Sequence, residues 1–170
     1  MATFILRPNG AGDATALSKS GSGGANWDRV DEVNSDDDTT YVYNIGAYAT
    51  DNYALEAPTI RGGIINSVTV YWNWRRVGDD PNPSVLSWPG LRLSGVDTTG
   101  AERASSSYTY QLYNEALARP GGGDWSFADL DALQVSISLL TNALQEARVT
   151  QVYVEVDYTP ATRSLGYIIG

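Results

Sequence analysis

The stretch "GIINSVTVYWNWRRV" (Gly63–Val77) decides how the rest of the chain is read. Written as an extended chain, it puts Val68, Val70, Trp72 and Trp74 on one face and Thr69, Tyr71, Asn73 and Arg75 on the other. A period of two over so long a run fits a strand with one face in a core, whereas a helix would scatter those apolar residues around its axis. The β-branched and aromatic residues that fill the stretch also suit a pleated surface. Two later segments repeat the pattern. In "LQVSISLL" Leu133, Val135, Ile137 and Leu139 oppose Gln134, Ser136 and Ser138. In "VTQVYVEVDYTP" Val152, Val154, Val156 and Tyr158 point inward, Tyr153, Glu155 and Asp157 point outward, and Pro160 ends the run.

Working outward, "TFILR" from Thr3, "TTYVYN", "NYALEA", "LRLSG" (91–95) and "SSYTYQLYN" (106–114) read as further strands. One helical turn stands apart in "WSFADLDAL": Ser126 and Asp129 form a capping box, and Phe127, Leu130 and Leu133 recur at helical spacing. Gly-, Ser- and Asp-rich loops at 18–25, 78–90 and 119–124 separate the elements. The glycine-rich loops lack the Gly-Lys-Ser/Thr signature and long following helix of a phosphate loop. The predicted fold is all-β: an antiparallel β-sandwich of jelly-roll type, with one short helix near residues 126–132. Residues 1–160 are expected to form a single sandwich and 161–170 a C-terminal arm. At 170 residues the chain can bury a core of that size.

Composition narrows the chemistry. Twenty acidic residues against eleven basic ones give a formal charge of -9, which repels phosphate backbones and argues against nucleic acid. Histidine and cysteine are both absent, removing the commonest general base, the familiar nucleophilic triads, thiolate metal sites and disulfides. Paired carboxylates remain open to such a chain, but no base, nucleophile and acid constellation can be assembled, so an enzyme is not expected. The N-terminus "MATFILRPNG" has neither a basic n-region nor a sufficient apolar run for a signal peptide. No apolar stretch is long enough for a membrane span.

The acidic stretch "VDEVNSDDDTTYVYN" (Val30–Asn44) admits three readings. Asp36, Asp37 and Asp38 offer hard oxygen ligands to Ca²⁺, but without the EF-hand spacing, and consecutive side chains diverge. A catalytic carboxylate would need a partly apolar cleft to raise its pKa. The third reading is an Asx-type turn that launches the strand beginning at Thr39. No other cofactor is expected.

Among the aromatics, Trp72 and Trp74 share the apolar face and read as core. Trp27 and Trp125 beside Gly-rich loops read as plugs at the sandwich ends. Trp88, in a long Pro-rich loop, is the candidate for an exposed ring that stacks on a ligand. Tyr71, Tyr108, Tyr110 and Tyr153 look outward and suit either sugar stacking or a subunit interface.

The order "LRPNG", a Gly/Ser loop, "NWDRVDE", "DDDTTYV", "INSVTVYWNWRR", "WSFADLDALQVSI" and "VTQVYVEVDY" resembles a jelly-roll structural module of tailed-bacteriophage virion proteins, of the head-decoration and tail-appendage type. The likeness runs through residues 4 to 158. It implies a virion structural protein made in the host cytoplasm. The form expected is a capsid decoration (cement) protein, a homo-oligomer that binds the major capsid protein or other virion subunits through protein–protein contacts and stabilises the shell.

The tail "PATRSLGYIIG" carries Leu165, Tyr167, Ile168 and Ile169. It either folds back on its own sandwich or docks as an arm on a neighbouring subunit. Two alternatives stand beside the decoration reading. One is a carbohydrate-binding or adhesive module, or a tail appendage, using Trp88 and surface tyrosines, with Ca²⁺ at Asp36 to Asp38. The other is a self-assembling filament or tube subunit.

Overall fold

The computed structural model describes residues 1–78, 85–105, 107–142 and 144–161. The proposed arm residues Leu165, Tyr167, Ile168 and Ile169 lie outside them. Two six-stranded antiparallel sheets face each other, as the alternating pattern predicts. The first has the order β10-β6-β12-β4-β3, with β1 also paired to β12. It comprises β1 (Ala2–Leu6), β3 (Ser18–Lys19), β4 (Val42–Asn44), β6 (Ile64–Val77), β10 (Gln111–Ala116) and β12 (Glu146–Thr159). The second has the order β2-β5-β11-β7-β8, with β9 also paired to β7. It comprises β2 (Pro8–Thr15), β5 (Ala49–Leu55), β7 (Leu86–Leu93), β8 (Val96–Thr99), β9 (Arg103–Ala104) and β11 (Gln134–Leu140).

β6 and β12 form the spine of the first sheet. Their register sets Val70 opposite Val154 and Trp72 opposite Val152. All of these, with Trp74, Val68 and Val156, are fully buried. From the second sheet Leu91, Val135, Ile137 and Leu139 meet them in one continuous core. Burial of such side chains contributes about 1.5–3 kcal/mol each, which is why period two dominates these strands. The indole of Trp72 keeps its N–H satisfied by donating to Ser87 Oγ at 3.1 Å.

The helix α1 (Phe127–Asp131) forms where the capping box predicts it. Ser126 Oγ accepts from the Asp129 amide, and the Asp129 carboxylate accepts from the Ser126 amide. Leu130 supplies its buried anchor. Arg119 clamps Asp129 and holds its carboxyl at about 2, with the Ser126 donors adding to the effect.

Several expectations need correction. "PNGAGDAT" is strand β2, although its Pro, Gly and Asp residues favour turns. Trp88 lies in β7, not in a loop. The strand predicted from Thr39 starts at Val42, and the one predicted from residue 106 starts at Gln111. Ser136 and Ser138 do lie on the face opposite the apolar residues, as the alternation predicts, though they are only 8% and 5% exposed.

The acidic stretch is a turn laced to β12. Thr39 donates its amide to the Asp36 carbonyl, and the Thr40 amide reaches Asp36 Oδ1. Asp37 takes the left-handed conformation (φ 55°) that this turn demands. Thr150, at a bulge in β12, places its hydroxyl 3.0 Å from both Asp36 Oδ1 and the Thr40 carbonyl. Asp38 turns away to Arg75 and Arg148. Asp36, Asp37 and Asp38 therefore do not converge on one point, and no three acidic side chains do so among the described residues. Asp36 instead shares the Thr40 hydroxyl with Glu32, a residue from outside the triplet.

Candidate functional site

The outer face of the second sheet is where polar side chains gather around empty space. Because Asp51, Tyr53 and Leu55 of β5, and Val135, Ile137 and Leu139 of β11, turn to the core, alternation sends Thr50, Asn52, Gln134, Ser136 and Ser138 outward. Antiparallel register then aligns them in rows across three strands: Thr50–Ser138–Trp88, Asn52–Ser136–Gly90 and Ala54–Gln134–Arg92. The middle row carries the shortest side chains. Its floor is sunk, leaving a groove of about 310 Å³. Gly90 keeps the floor low, since a Cβ there would stand 3.2 Å from both Ser136 Cβ and the Thr98 carbonyl, a tight fit.

The walls come from the flanking strands. Along β2 the register jumps from Ala11 opposite Tyr53 to Thr15 opposite Asp51, so that residues 12–14 bulge opposite the single residue Asn52. A bulge re-aims the side chains it carries, and this one lifts Asp13 and Ala14 into the lining of the groove. Gly12 permits the close approach: a Cβ would lie 2.7 Å from the Asn52 carbonyl. Behind the bulge, the buried Asp51 carboxylate accepts from the amides of Ala16 and Leu17, the Asn26 amide group and the Tyr53 hydroxyl. Burial, and then the Asp51 charge, push the Tyr53 phenol well above its ordinary range. On the opposite side Asp97, Thr98 and Thr99 of β8 complete the wall.

The two ends differ in chemistry. At one, Arg92 donates Nε to Asp13 Oδ2 and Nη1 to Asp97 Oδ2, both at 2.7 Å. Gln134 braces the same carboxylate, donating to Asp13 Oδ1 at 3.1 Å and accepting the Asp13 amide at 2.9 Å. The Arg92 hydrogen bond, then that of Gln134, holds the Asp13 carboxyl below its ordinary value. At the other end the Tyr48 ring meets Trp88 edge-on, with centroids 5.4 Å apart. Tyr48 is half exposed, and its hydroxyl donates to Ser138 Oγ, which also lies 2.7 Å from Thr50 Oγ1.

Between these ends the Asn52 amide group and the Ser136 hydroxyl make no hydrogen bond among the described residues, although Asn52 is only 5% exposed. Neither group is among the side-chain atoms sealed from solvent without a partner, so both keep free hydrogen-bonding capacity at a surface that water and a ligand can reach. Both groups open into the hollow that Asn52 and Ser136 line. Of the candidate ligand and metal residues named from sequence, Trp88 stands nearest, against Tyr48 on the same face, but it is not part of the groove lining. Asp36, Asp37 and Asp38 sit with the first sheet.

No family model matches the chain, and no curated protein matches it. Among solved structures it is similar to TmCBM61 in complex with β-1,4-galactotriose, at 10% identity and a TM-score of 0.40, covering 68% of this chain and 69% of that one. It is also similar to a family 16 carbohydrate binding module, at 7% identity and TM-score 0.39, covering 68% and 76%. A third is the Agl-KA catalytic domain, at 13% identity and TM-score 0.38, where 98% of this chain spans 30% of that one.

Proposed function

We propose that this protein is a carbohydrate-binding, adhesive module, and that the groove on the second sheet is its ligand site. The observation that carries the reading is the pair of unpartnered groups, Asn52 and Ser136, on the floor of a hollow lined at one end by Tyr48, which is backed by Trp88. A carboxamide and a hydroxyl together offer donors and acceptors at short range, as sugar hydroxyls do. An exposed tyrosine beside a half-buried tryptophan gives an apolar surface for the C–H face of a sugar ring. Binding rather than catalysis is supported by the carboxylates of the groove. Asp13 and Asp97 are both committed to Arg92, and Asp13 is held low, whereas a general acid needs a raised pKa.

The capsid-decoration reading rests on the resemblance of the sequence and on the terminal arm at Leu165–Ile169, and the described residues add nothing to it. Partners in a virion, self-association and location there stand as proposals for light scattering and co-sedimentation to test.

The direct test is a glycan array followed by calorimetry. Wild type is expected to bind a defined set of glycans, and Asn52→Ala to weaken that binding about tenfold or more with the fold intact by circular dichroism. An array without a single binder would remove the reading.

A further inference from the structure

We infer that the groove captures the end of a neutral glycan chain and does not run along the chain's interior, an inference that rests on the carbohydrate reading above. A site for an internal stretch must be open at both ends, because the chain enters and leaves it. This groove is closed at one end by a bar of side chains. From Asp13 on β2, through Arg92 on β7, to Asp97 on β8, two ion pairs span the full width of the sheet, with Gln134 bracing from beneath. Within the bar Asp13 receives hydrogen bonds from both Arg92 and Gln134, and its own amide is tied back to Gln134.

At the far end stand Tyr48 and Trp88, and the long sides are the β2 bulge and β8. Among the described residues, what remains open is the top. The groove's volume of about 310 Å³ lies at the lower bound of small-molecule sites and suits roughly one or two sugar rings. The unpartnered Asn52 and Ser136 lie beneath that volume, in the row next to the bar. A terminal ring standing on them would place its free hydroxyls there, with the rest of the chain leaving past the aromatic rings.

The charge of the bar points to a neutral ring. Two carboxylates face one guanidinium, and two nitrogens of that guanidinium are already donated. An incoming sugar acid meets net negative charge in the groove and has no uncommitted cation to pair with.

The experiment is calorimetric titration with neutral hexose and pentose oligosaccharides from mono- to hexasaccharide, with the matching uronates alongside. The inference expects affinity to plateau at the disaccharide, uronates to bind at least tenfold more weakly, and capacity on a polymer to follow its number of chain ends. Partial hydrolysis at constant mass would then raise capacity. An affinity that climbs tenfold or more between di- and hexasaccharide, or capacity that follows polymer mass, overturns the inference while leaving carbohydrate binding intact. Binding to none of the series or the array removes the carbohydrate reading itself.

A second variant isolates the bar. Asp13→Ala with Arg92→Ala opens that end, and longer chains should then gain affinity over the disaccharide. A folded double variant with the same flat length profile would count against a role for the bar. Asp97→Ala, which removes only the outer ion pair, should give a partial gain if the double variant does not fold.

Discussion

The two outer faces of the sandwich are built from similar residues and end in opposite states. The face of the first sheet is closed by its own side chains. Tyr71 and Tyr153, opposite each other on β6 and β12, stack at 4.7 Å with planes 6° apart. Arg7 lies over Tyr153, Arg75 over Tyr110 and Arg148 over Tyr41. Asp38 joins Arg75, Arg148 and Tyr110. Atoms left without partners there, such as Asn73 Oδ1 and Arg75 Nε, are sealed from solvent. On the second sheet the central row is too short to close over itself, so its unpartnered groups look into open space. Exposed tyrosines and arginines thus do not by themselves mark a binding face. What marks one is polar capacity left unused at the bottom of a hollow.

Asp51 underlies the groove and should give the largest effect. It is fully buried and accepts four hydrogen bonds, three of which hold residues 16, 17 and 26 behind the β2 bulge. Asp51→Ala leaves those donors unpaired and should cost about 3–5 kcal/mol, read as a fall in the urea midpoint. Ligand binding should be lost with it, because the wall moves. Second in size is Trp88→Ala, expected to weaken glycan binding about tenfold to a hundredfold while the melting temperature changes little. The matching change on the closed face, Tyr153→Ala, should do the reverse. It removes a stacked pair and a cation–π contact, costs about 1–2 kcal/mol of stability and leaves glycan affinity unchanged. Equal loss of affinity in both variants would erase the distinction between the faces.

Much of this was legible in the sequence, and the missing part has a common cause. β6, β11 and β12 announce themselves because burial on one face enforces period two, and α1 because its cap is written in four adjacent residues. β2 was hidden by Pro8, Gly10, Gly12 and Asp13, which are poor strand residues. Here they serve an edge strand that must bulge. Trp88 was hidden by Pro89. That proline is tolerated in β7 because it falls between the rungs to β8 and those to β9, where no ladder donor is needed, and its carbonyl still accepts the Gly100 amide. The groove itself was legible only as an outward set of Gln134, Ser136 and Ser138. Register brings Asn52, Gly90 and Arg92 beside them, and the bar joins residues 79 apart in sequence. No local pattern encodes such pairings.

The smallest expected effects are in pH, and the closed face supplies both signs. Asp38 is opposed by burial, but hydrogen bonds from Arg148, Arg75 and Tyr110 outweigh it and hold the carboxyl below its ordinary value. A carboxylate lowered in this way lends stability above the unfolded value, near 3.8, and loses it as pH falls through the lower folded value. Because Asp38 is half exposed, Asp38→Ala should cost about 0.5–1 kcal/mol at most, shrinking in high salt.

Glu32 behaves oppositely. Burial raises its carboxyl above 4.5 despite the Thr40 hydroxyl, and one of its oxygens has no partner. In the fold it binds a proton more readily than in the unfolded chain. Its contribution therefore grows as pH drops from neutrality toward 4.5, where the unfolded chain also takes up the proton. Glu32→Gln removes the buried charge while keeping the shape, so it should be neutral or slightly stabilising at pH 7 and should flatten the stability profile between pH 7 and 4.5. Urea midpoints of wild type and variant across that window test this. A variant less stable than wild type at pH 7, with the slope unchanged, would mean that the ionised carboxylate holds the turn against β12. The closed face would then depend on the acidic stretch as a partner and not merely as a turn.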